Sequence, residues 1–381
     1  MSARHTLLIA AIAAAAACSE DRTGPGLPAP VSPTDRLLAE IRTATGLPGL
    51  AAIVVRADTI EAIGTAGVRH RGQGVAVTAQ DRFHLGSNVK AMTATLLAML
   101  VEEGTLAWTT RPVDVFPELA GAIDPAFTDI TLAQLLTHRA GIEPLLDFAQ
   151  VPPLPGSPAE QRYQGTALLL GLAPAGPVGE FLYSNGGYGV AAAMAERVTG
   201  TPWEELMTDR LFTPLGIAPV FGWPGTGRPA QPWGHLPGSF TPVDPDVAPD
   251  MPDAIDPAGE LSLTLEEYAR FVQLHLRGLT GRPALLTGQS FDRLHTPTGV
   301  YAYGWGEVTL DGEPTATHEG STGTFYATVL MQPGRDLAVI VVTNAGGDTA
   351  AAGVTTAALE LLRSHGGAVP AGGIAALPAT R

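Results

Sequence analysis

The strongest constraint on the fold is that strand patterns lie at both ends of this 381-residue chain, separated by a long middle part with helix and loop patterns. Apolar, β-branched runs predict an N-terminal pair of strands at residues 50–55 and 59–67. Three more strands are predicted at 304–310, 324–331 and 337–342. Because a two-stranded hairpin is only marginally stable alone, we expect all five strands to join one antiparallel sheet.

Helical patterns complete this picture. One helix is predicted to begin near Ser32 and another to cover residues 355–362, and together they would flank the sheet. The remaining helices, within about residues 81–258, would form a mainly helical lobe. The fold class is therefore an α+β sandwich with one domain over 34–365, and a site is expected in the cleft between sheet and lobe. An Ala/Gly/Pro-rich tail, 366–381, is predicted to be disordered.

The N-terminus has the pattern of an export signal. A short basic start and the apolar run 7–17 are too short to span a bilayer but fit a signal peptide over residues 1–17. The run ends at Cys18 and resembles a bacterial lipoprotein signal, in which that cysteine is lipidated. Ala15 stands where such signals usually have leucine, so cleavage without lipidation stays open. Residues 18–33 are predicted to be a flexible tether, and we expect an exported, periplasmic or cell-envelope protein.

Composition excludes several classes of function. Cys18 is the single cysteine, which excludes an internal disulfide and a cysteine-based metal site. The net charge of −15 argues against nucleic-acid binding and against electrostatic attraction to anionic lipid, so membrane contact is expected only through a lipid anchor. The nine histidines show no ligand-like spacing. We predict no metal, no cofactor and a monomer.

The motif that points most clearly to catalysis is Ser87-x-x-Lys90, at the start of a predicted helix. Residues three apart share a helix face, so the amine of Lys90 would lie beside the hydroxyl of Ser87. The chain has 21 arginines and one lysine, and Lys90 is that lysine. Arginine stays protonated in proteins, whereas a partly buried lysine can lose its proton and activate a serine.

Two further clusters contain candidate site residues. In the run 181–188, Tyr183 and Asn185 are two residues apart, and on an extended turn this spacing points both side chains the same way. In the run 317–324, His318 and Gly320 lie just before a predicted strand, where glycine lets a substrate pass close to the backbone. Each cluster is weak alone, since a tyrosine is more often part of a core and a histidine more often structural.

Together and in this order, the three clusters resemble the motifs of the penicillin-recognising serine hydrolases, the superfamily of serine β-lactamases and penicillin-binding proteins. Tyr183-Ser184-Asn185 is similar to the branch of class C β-lactamases, D-alanyl-D-alanine carboxypeptidases and related esterases. The resemblance covers about residues 35–365 and implies a β-lactamase/transpeptidase-like fold. Four shorter stretches agree with it: Leu135–Gly141, Pro214–Gly216, Gly259–Ser262 and Tyr303–Gly306.

The resemblance also implies roles for individual residues. Ser87 would be the acyl-forming nucleophile, with Lys90 and Tyr183 sharing the proton transfers in an order that the sequence leaves open. Asn185 would hold the amide or acyl group of a small-molecule or peptide substrate, with His318 and Gly320 also at the binding site. The backbone N–H groups of Ser87 and Ser321 would form the oxyanion hole.

The departure from the family pattern is His318, because class C β-lactamases carry lysine there. Histidine is charged only near or below its usual pKa of about 6.5, and Glu319 adds a neighbouring negative charge. An ester or amide hydrolase, including a D-amino-acid peptidase, is therefore the first expectation and a β-lactamase the second. A catalytically silent binding module of the same fold is the alternative from another class. The proline-rich loop 217–258 is expected to shape specificity.

Overall fold

The computed structural model describes residues 31–228 and 230–370. Its strands are β1 (Gly49–Val55), β2 (Ile60–Gly67), β3 (Arg82–His84), β4 (Gly234–His235), β5 (Pro242–Val243), β6 (Ser262–Thr264), β7 (Gly306–Leu310), β8 (Glu313–Ser321), β9 (Tyr326–Gln332) and β10 (Leu337–Thr343). Its helices are α1 (Pro33–Thr45), α2 (Val89–Glu102), α3 (Pro112–Val115), α4 (Leu132–Leu136), α5 (Pro158–Gly171), α6 (Asn185–Thr199), α7 (Trp203–Leu206), α8 (Thr213–Leu215), α9 (Leu265–Leu279), α10 (Gly288–Leu294) and α11 (Asp348–Ser364).

The central element is a six-stranded antiparallel sheet in the order β2-β1-β10-β9-β8-β7. It joins the N-terminal pair of strands to the C-terminal strands, which confirms the predicted α+β fold. Every residue of β1 is buried, and alternate side chains enter two different cores. The side chains of residues 50, 52 and 54 pack with α1 and α11, whereas those of 51, 53 and 55 join the core of the middle helices. Burial on both faces explains why this strand is a continuous apolar run.

One strand of the sheet is absent from the sequence prediction. β8 is polar and glycine-containing, so it has little of the β-branched character by which strands are recognised. It contains the run 317–321, which therefore lies in a strand of its own and also precedes β9, the strand predicted at 324–331. The overlooked signal is the turn Asp311-Gly312 between β7 and β8, where both residues have positive φ, of 48° and 79°. Asp-Gly is the preferred pair for a two-residue hairpin turn.

The middle region also contains a helix that the sequence interpretation assigned to a loop. Residues 143–182 were expected to be loop, but α5 forms within them. Its start carries a capping box, in which Ser157 and Glu160 satisfy each other's backbone N–H groups, with Pro158 in the first turn. This short-range signal predicts the helix better than its weak apolar periodicity does.

Most of the N-terminal segment and part of the C-terminal tail lie outside the described residues. The predicted signal peptide 1–17, Cys18 and most of the tether lie outside the described residues. The first residues of the predicted disordered tail, 366–370, are described, and Ala368 among them is buried and exchanges two hydrogen bonds of 2.9 Å with the side chain of Gln332 in β9. Residues 371–381 lie outside the described part. Within that part, no helix combines the length and hydrophobicity needed to cross a bilayer.

A buried arginine connects the helices around the middle of the chain. The guanidinium of Arg162 in α5 donates to Glu196 at 2.7 and 2.9 Å and to Glu204 at 2.8 Å. It also donates to the backbone carbonyl of Asp253 at 3.4 Å, at the start of the 3-10 turn Asp253–Ala258. One side chain therefore links α5, α6 and α7 to a turn that reaches the site described below.

We expect Arg162→Ala to lower the free energy of unfolding by about 3–5 kcal/mol, because the buried carboxylate of Glu196 loses its counter-charge. Arg363→Ala removes the exposed partner of Glu360 and is expected to cost less than about 1 kcal/mol. Urea denaturation of the two variants measures both changes. Equal, small effects would contradict a structural role for the Arg162 cluster.

Candidate active site

Ser87 lies in the turn that begins α2. The 3-10 turn Gly86–Asn88 continues directly into the helix, so Ser87 is at a helix N-terminus, and its side chain is half-buried in the wall of a cleft. The side-chain amide of Asn88 anchors this turn by donating to the carbonyl of Ala327 in β9 at 3.3 Å. The position of Ser87 is thus fixed by the sheet as well as by its helix.

Lys90 lies one turn further along the same helix, as the spacing predicts, and it contacts the serine. Its Nζ is 3.0 Å from the Oγ of Ser87, 2.7 Å from the Oδ1 of Asn185 and 2.8 Å from the carbonyl oxygen of Ala258. The three contacts bring together α2, the start of α6 and the end of the turn Asp253–Ala258. The structure therefore unites Ser87, Lys90 and Asn185.

The environment of Lys90 favours the neutral amine. The side chain is fully buried, and burial lowers its pKa well below the usual value of 10.5. Among the described residues no carboxylate forms a salt bridge with it. A neutral amine has two N–H groups and one lone pair. Because the oxygens of Asn185 and Ala258 can only accept, they take the two N–H groups and leave the lone pair facing the hydroxyl of Ser87.

The second motif forms the entrance to α6. The Oγ of Ser184 caps the helix by accepting from the backbone N–H of Gly187 at 2.9 Å. Tyr183 and Asn185, on either side of this cap, both line the cleft and both approach Lys90, whose Nζ lies 4.8 Å from the centre of the Tyr183 ring. The amide of Asn185 is oriented by Leu145, whose carbonyl accepts from its Nδ2 at 3.0 Å. Tyr183 and Asn185 therefore point towards the same cleft, as their spacing predicts.

The third motif, the run 317–324, lies against the turn Gly86–Asn88 along a stretch of β8 that has a strand neighbour on one side only. Pairing of β7 with β8 ends at Thr317, so the rest of β8 has no strand neighbour on that side. A Cβ on Gly320 would lie 1.9 Å from the carbonyl oxygen of Leu85 and 2.9 Å from the backbone nitrogen of Ser87, and one on Gly86 would lie 2.8 Å from the nitrogen of Ser321. Glycine at both positions is what allows the two backbones to meet beside the cleft.

His318 does not occupy the place expected of a substrate-binding cation. Its side chain is buried and absent from the cleft wall. The Nδ1–H donates to the carbonyl of Glu319 at 2.8 Å, so Nε2 accepts from the hydroxyl of Tyr301 at 3.0 Å. Burial lowers its pKa to about 3. The resemblance assigned His318 to the binding site; in this structure its ring is enclosed and both ring nitrogens have protein partners, and the assignment stays a prediction.

The cleft itself has a volume of about 420 Å³ and a distinctive charge pattern. Besides Ser87 and the residues named above, its wall contains three carboxylates, from Asp147, Glu260 and Glu319, and no lysine or arginine side chain. Within residues 31–228 and 230–370, no three metal-ligating side chains come together to form a metal site. The cleft therefore places the Ser87 hydroxyl, which contacts the buried Lys90, beside three acidic residues.

Three residues that support the site were not assigned a role from sequence. His138 accepts from the backbone N–H of Ser184 at 3.0 Å and lies against the ring of Tyr183, at 4.2 Å between centres. Tyr301 holds His318. Gly304 has φ of 82°, and a Cβ there would lie 2.4 Å from the backbone of Ala91. His138 and Gly304 lie in the family-like runs 135–141 and 303–306, which the sequence analysis singled out without predicting their contacts. Tyr301 lies in neither run.

We expect the ring of His318 to stay neutral between pH 8 and pH 5. Its pKa of about 3 lies below the usual 6.5, so the neutral ring favours folding at neutral pH and this contribution declines as the pH falls below about 6.5. In ¹⁵N NMR spectra, assigned by comparison with His318→Gln, its ring nitrogens should not titrate in that range, whereas those of N-acetylhistidine do. A titration near pH 6.5 would contradict the enclosed, neutral ring.

Comparison with known proteins agrees with this geometry. The family model described as Beta-lactamase matches residues 34–363. The chain is 32% identical over 326 residues to "Penicillin-binding protein 4" of Amycolatopsis lactamdurans, covering 80% of this chain and 83% of that protein. It is 25% identical over 334 residues to "Unguisins hydrolase ungD" of Aspergillus violaceofuscus, covering 78% of this chain but only 58% of that protein.

A solved structure shows the same fold. The octameric penicillin-binding protein homologue from Pyrococcus abyssi superposes with a TM-score of 0.72 at 20% identity, covering 88% of this chain and 77% of that one. This similarity confirms the β-lactamase/transpeptidase-like fold that the motifs implied. With the family model spanning nearly all of the described residues, the chain belongs to the β-lactamase family of serine hydrolases and penicillin-binding proteins.

Proposed function

We propose that this protein is a serine hydrolase that cleaves an ester or amide through an acyl-enzyme on Ser87. The observation that carries the proposal is the 3.0 Å contact between the Oγ of Ser87 and the Nζ of a fully buried Lys90. A serine hydroxyl needs an adjacent base, and a desolvated amine without a counter-ion is such a base at neutral pH.

In the acylation step, the Oγ of Ser87 attacks the substrate carbonyl carbon while its proton passes to the neutral amine of Lys90. The carbonyl oxygen becomes an oxyanion, for which the backbone N–H groups of Ser87 and Ser321 are the donors we assign. The tetrahedral intermediate collapses when the C–O or C–N bond to the leaving group breaks. The leaving alcohol or amine takes the proton back, and the acyl group stays on Ser87.

Deacylation reverses these roles with water in place of the leaving group. Water loses a proton to the base, attacks the acyl carbon and releases the acid product, and Ser87 recovers its proton. Tyr183 lies beside Lys90 and lines the cleft, so it is suited to carry the proton between the amine and the leaving group or water. Lys90 is the favoured first base because its lone pair faces the serine.

The charge of the cleft favours neutral or cationic substrates over anionic ones. Asp147, Glu260 and Glu319 line the cleft, and its wall has no lysine or arginine to bind the carboxylate of a β-lactam or a peptide C-terminus. With His318 neutral, the position that holds lysine in class C β-lactamases supplies no charge. A neutral ester, or an amide without a free carboxylate, is therefore the first candidate substrate.

A β-lactamase remains the second candidate, supported by the family to which the chain belongs and by its penicillin-binding relative. The acidic wall argues against efficient hydrolysis of these anionic drugs. A catalytically silent binding module is the third candidate, and the contacts of Lys90 with Ser87, Asn185 and the ring of Tyr183 argue against it.

Cellular location and assembly stay predictions. Export through residues 1–17 and lipidation of Cys18 concern residues outside the described part of the chain. The monomer expected from the sequence is likewise untested. The proposed partner is a small-molecule or peptide substrate, with neither nucleic acid nor cofactor.

We expect Lys90→Arg to lower kcat/KM for a p-nitrophenyl ester by about 10²–10⁴-fold, nearly as much as Ser87→Ala, because arginine cannot accept the serine proton. Arg363→Lys, on the exposed end of α11, is the control and should retain wild-type kinetics. Circular dichroism and thermal unfolding verify that Lys90→Arg is folded. Substantial activity in the folded variant would rule out Lys90 as the base.

We expect Glu319→Gln to raise kcat/KM for an anionic ester, the p-nitrophenyl monoester of succinate, by about 5-fold relative to the neutral butyrate ester, because one negative charge leaves the cleft. The amide can still accept the 2.9 Å hydrogen bond from the hydroxyl of Tyr326. Glu40→Gln, an exposed change on α1, makes the same change in net charge and should leave the ratio unaltered. Equal ratios in both variants would mean that the acidic wall does not select substrate charge.

A further inference from the structure

A second cavity lies beside the catalytic cleft. Its volume is about 240 Å³, and its wall is almost entirely apolar. The side chains that define it are Phe148, Trp223, Leu236, Val243, Pro245 and Phe325. Leu236 is 45% exposed although it is a large apolar residue, so apolar surface remains open to solvent at this place.

The cavity is built mainly by the proline-rich segment 217–258. The short strands β4 and β5 pair within this segment, and four of its prolines line the cavity. The ring of Trp223 stacks on Phe325 at 6.0 Å, and its Nε1 donates to the carbonyl of Pro249 at 3.3 Å. His235 fixes β4 to the end of β10 by donating to the carbonyl of Asn344 at 2.7 Å. Proline restricts the backbone, so the cavity is held open before any ligand binds.

The cavity and the cleft at Ser87 are adjacent and share part of their walls. Phe148, Trp223 and Thr322 belong to the walls of both. Thr322 directly follows Ser321, which carries one of the assigned oxyanion donors. A group attached to a carbonyl at Ser87 can therefore extend past Thr322 into the apolar cavity.

We propose that this cavity is a specificity subsite that binds the apolar group of the substrate, either an alkyl chain or an aromatic ring. The inference rests on the proposed acyl transfer at Ser87 and names the substrate class that this transfer acts on. At about 30 Å³ per water molecule, the cavity accommodates roughly eight non-hydrogen atoms, the size of an octyl chain or a phenylethyl group. The substrate is then an uncharged ester or amide with one such apolar substituent.

The test compares chain-length dependence in two ester series, p-nitrophenyl esters from acetate to decanoate and alkyl acetates from methyl to decyl. Burial of each methylene group is expected to raise kcat/KM by about 4-fold until the cavity is full, near six to eight carbons, in the series whose chain enters it. Comparing the two series identifies whether the acyl or the leaving group occupies the subsite. A flat dependence in both series would overturn the proposal.

The variant Val243→Phe fills the cavity and is expected to lower kcat/KM for the hexanoate or hexyl ester by at least about 10-fold while leaving the acetate or methyl ester within 2-fold of wild type. Val247→Phe, which introduces the same side chain four residues away at a position 79% exposed, is the matched control and should change neither. Val243→Ala enlarges the cavity and should shift the optimum to longer chains. Identical chain-length profiles in wild type and Val243→Phe would overturn the proposal.

Failure of the underlying function is distinguishable from failure of the subsite. If Ser87 is not acylated by any ester of either series, both the proposed function and this inference are wrong. If short esters acylate Ser87 but chain length has no effect, the hydrolase proposal stands and the subsite is rejected.

Discussion

The arrangement of the site depends on the burial of one amine. Lys90 lies in a fully buried position where two oxygens that can only accept and one hydroxyl surround its Nζ. Burying a charged amine without a counter-ion is costly, so the neutral form is favoured. A neutral amine with both N–H groups engaged directs its lone pair towards Ser87, which is the arrangement that the proposed acyl transfer requires.

Each oxygen around Lys90 is held by a different part of the fold. Asn185 is fixed because Ser184 caps α6 and Leu145 accepts from its amide. The carbonyl of Ala258 ends the turn Asp253–Ala258, whose first residue accepts from the buried Arg162. The turn Gly86–Asn88, which contains Ser87, lies directly against the backbone of β8. Only glycine at positions 86 and 320 lets the two backbones come this close. The sheet, the helices and the arginine cluster thus converge on one side chain.

The sequence was sufficient for the fold class and for the central pair of residues, because both depend on local patterns. Apolar, β-branched runs located five of the six strands of the sheet, and helical spacing placed Lys90 beside Ser87. The polar strand β8 and the helix α5 were missed because apolar periodicity was weighted above the turn Asp311-Gly312 and the capping box at Ser157. The environment of His318 could not be predicted from the sequence. Its contact with Tyr301 comes from a residue 17 positions earlier, and no local pattern reveals that the ring is buried. The apolar cavity likewise requires the path of the segment 217–258, which has almost no regular structure.

The most direct test of the central claim is intact-mass spectrometry of the purified protein after parallel incubation with a fluorophosphonate, a p-nitrophenyl ester and a penicillin. We predict one covalent adduct from the fluorophosphonate and a transient acyl adduct from the ester, both on Ser87 by peptide mapping and both absent in Ser87→Ala, with little or no adduct from the penicillin. The absence of any adduct on Ser87 from all three reagents would contradict the account.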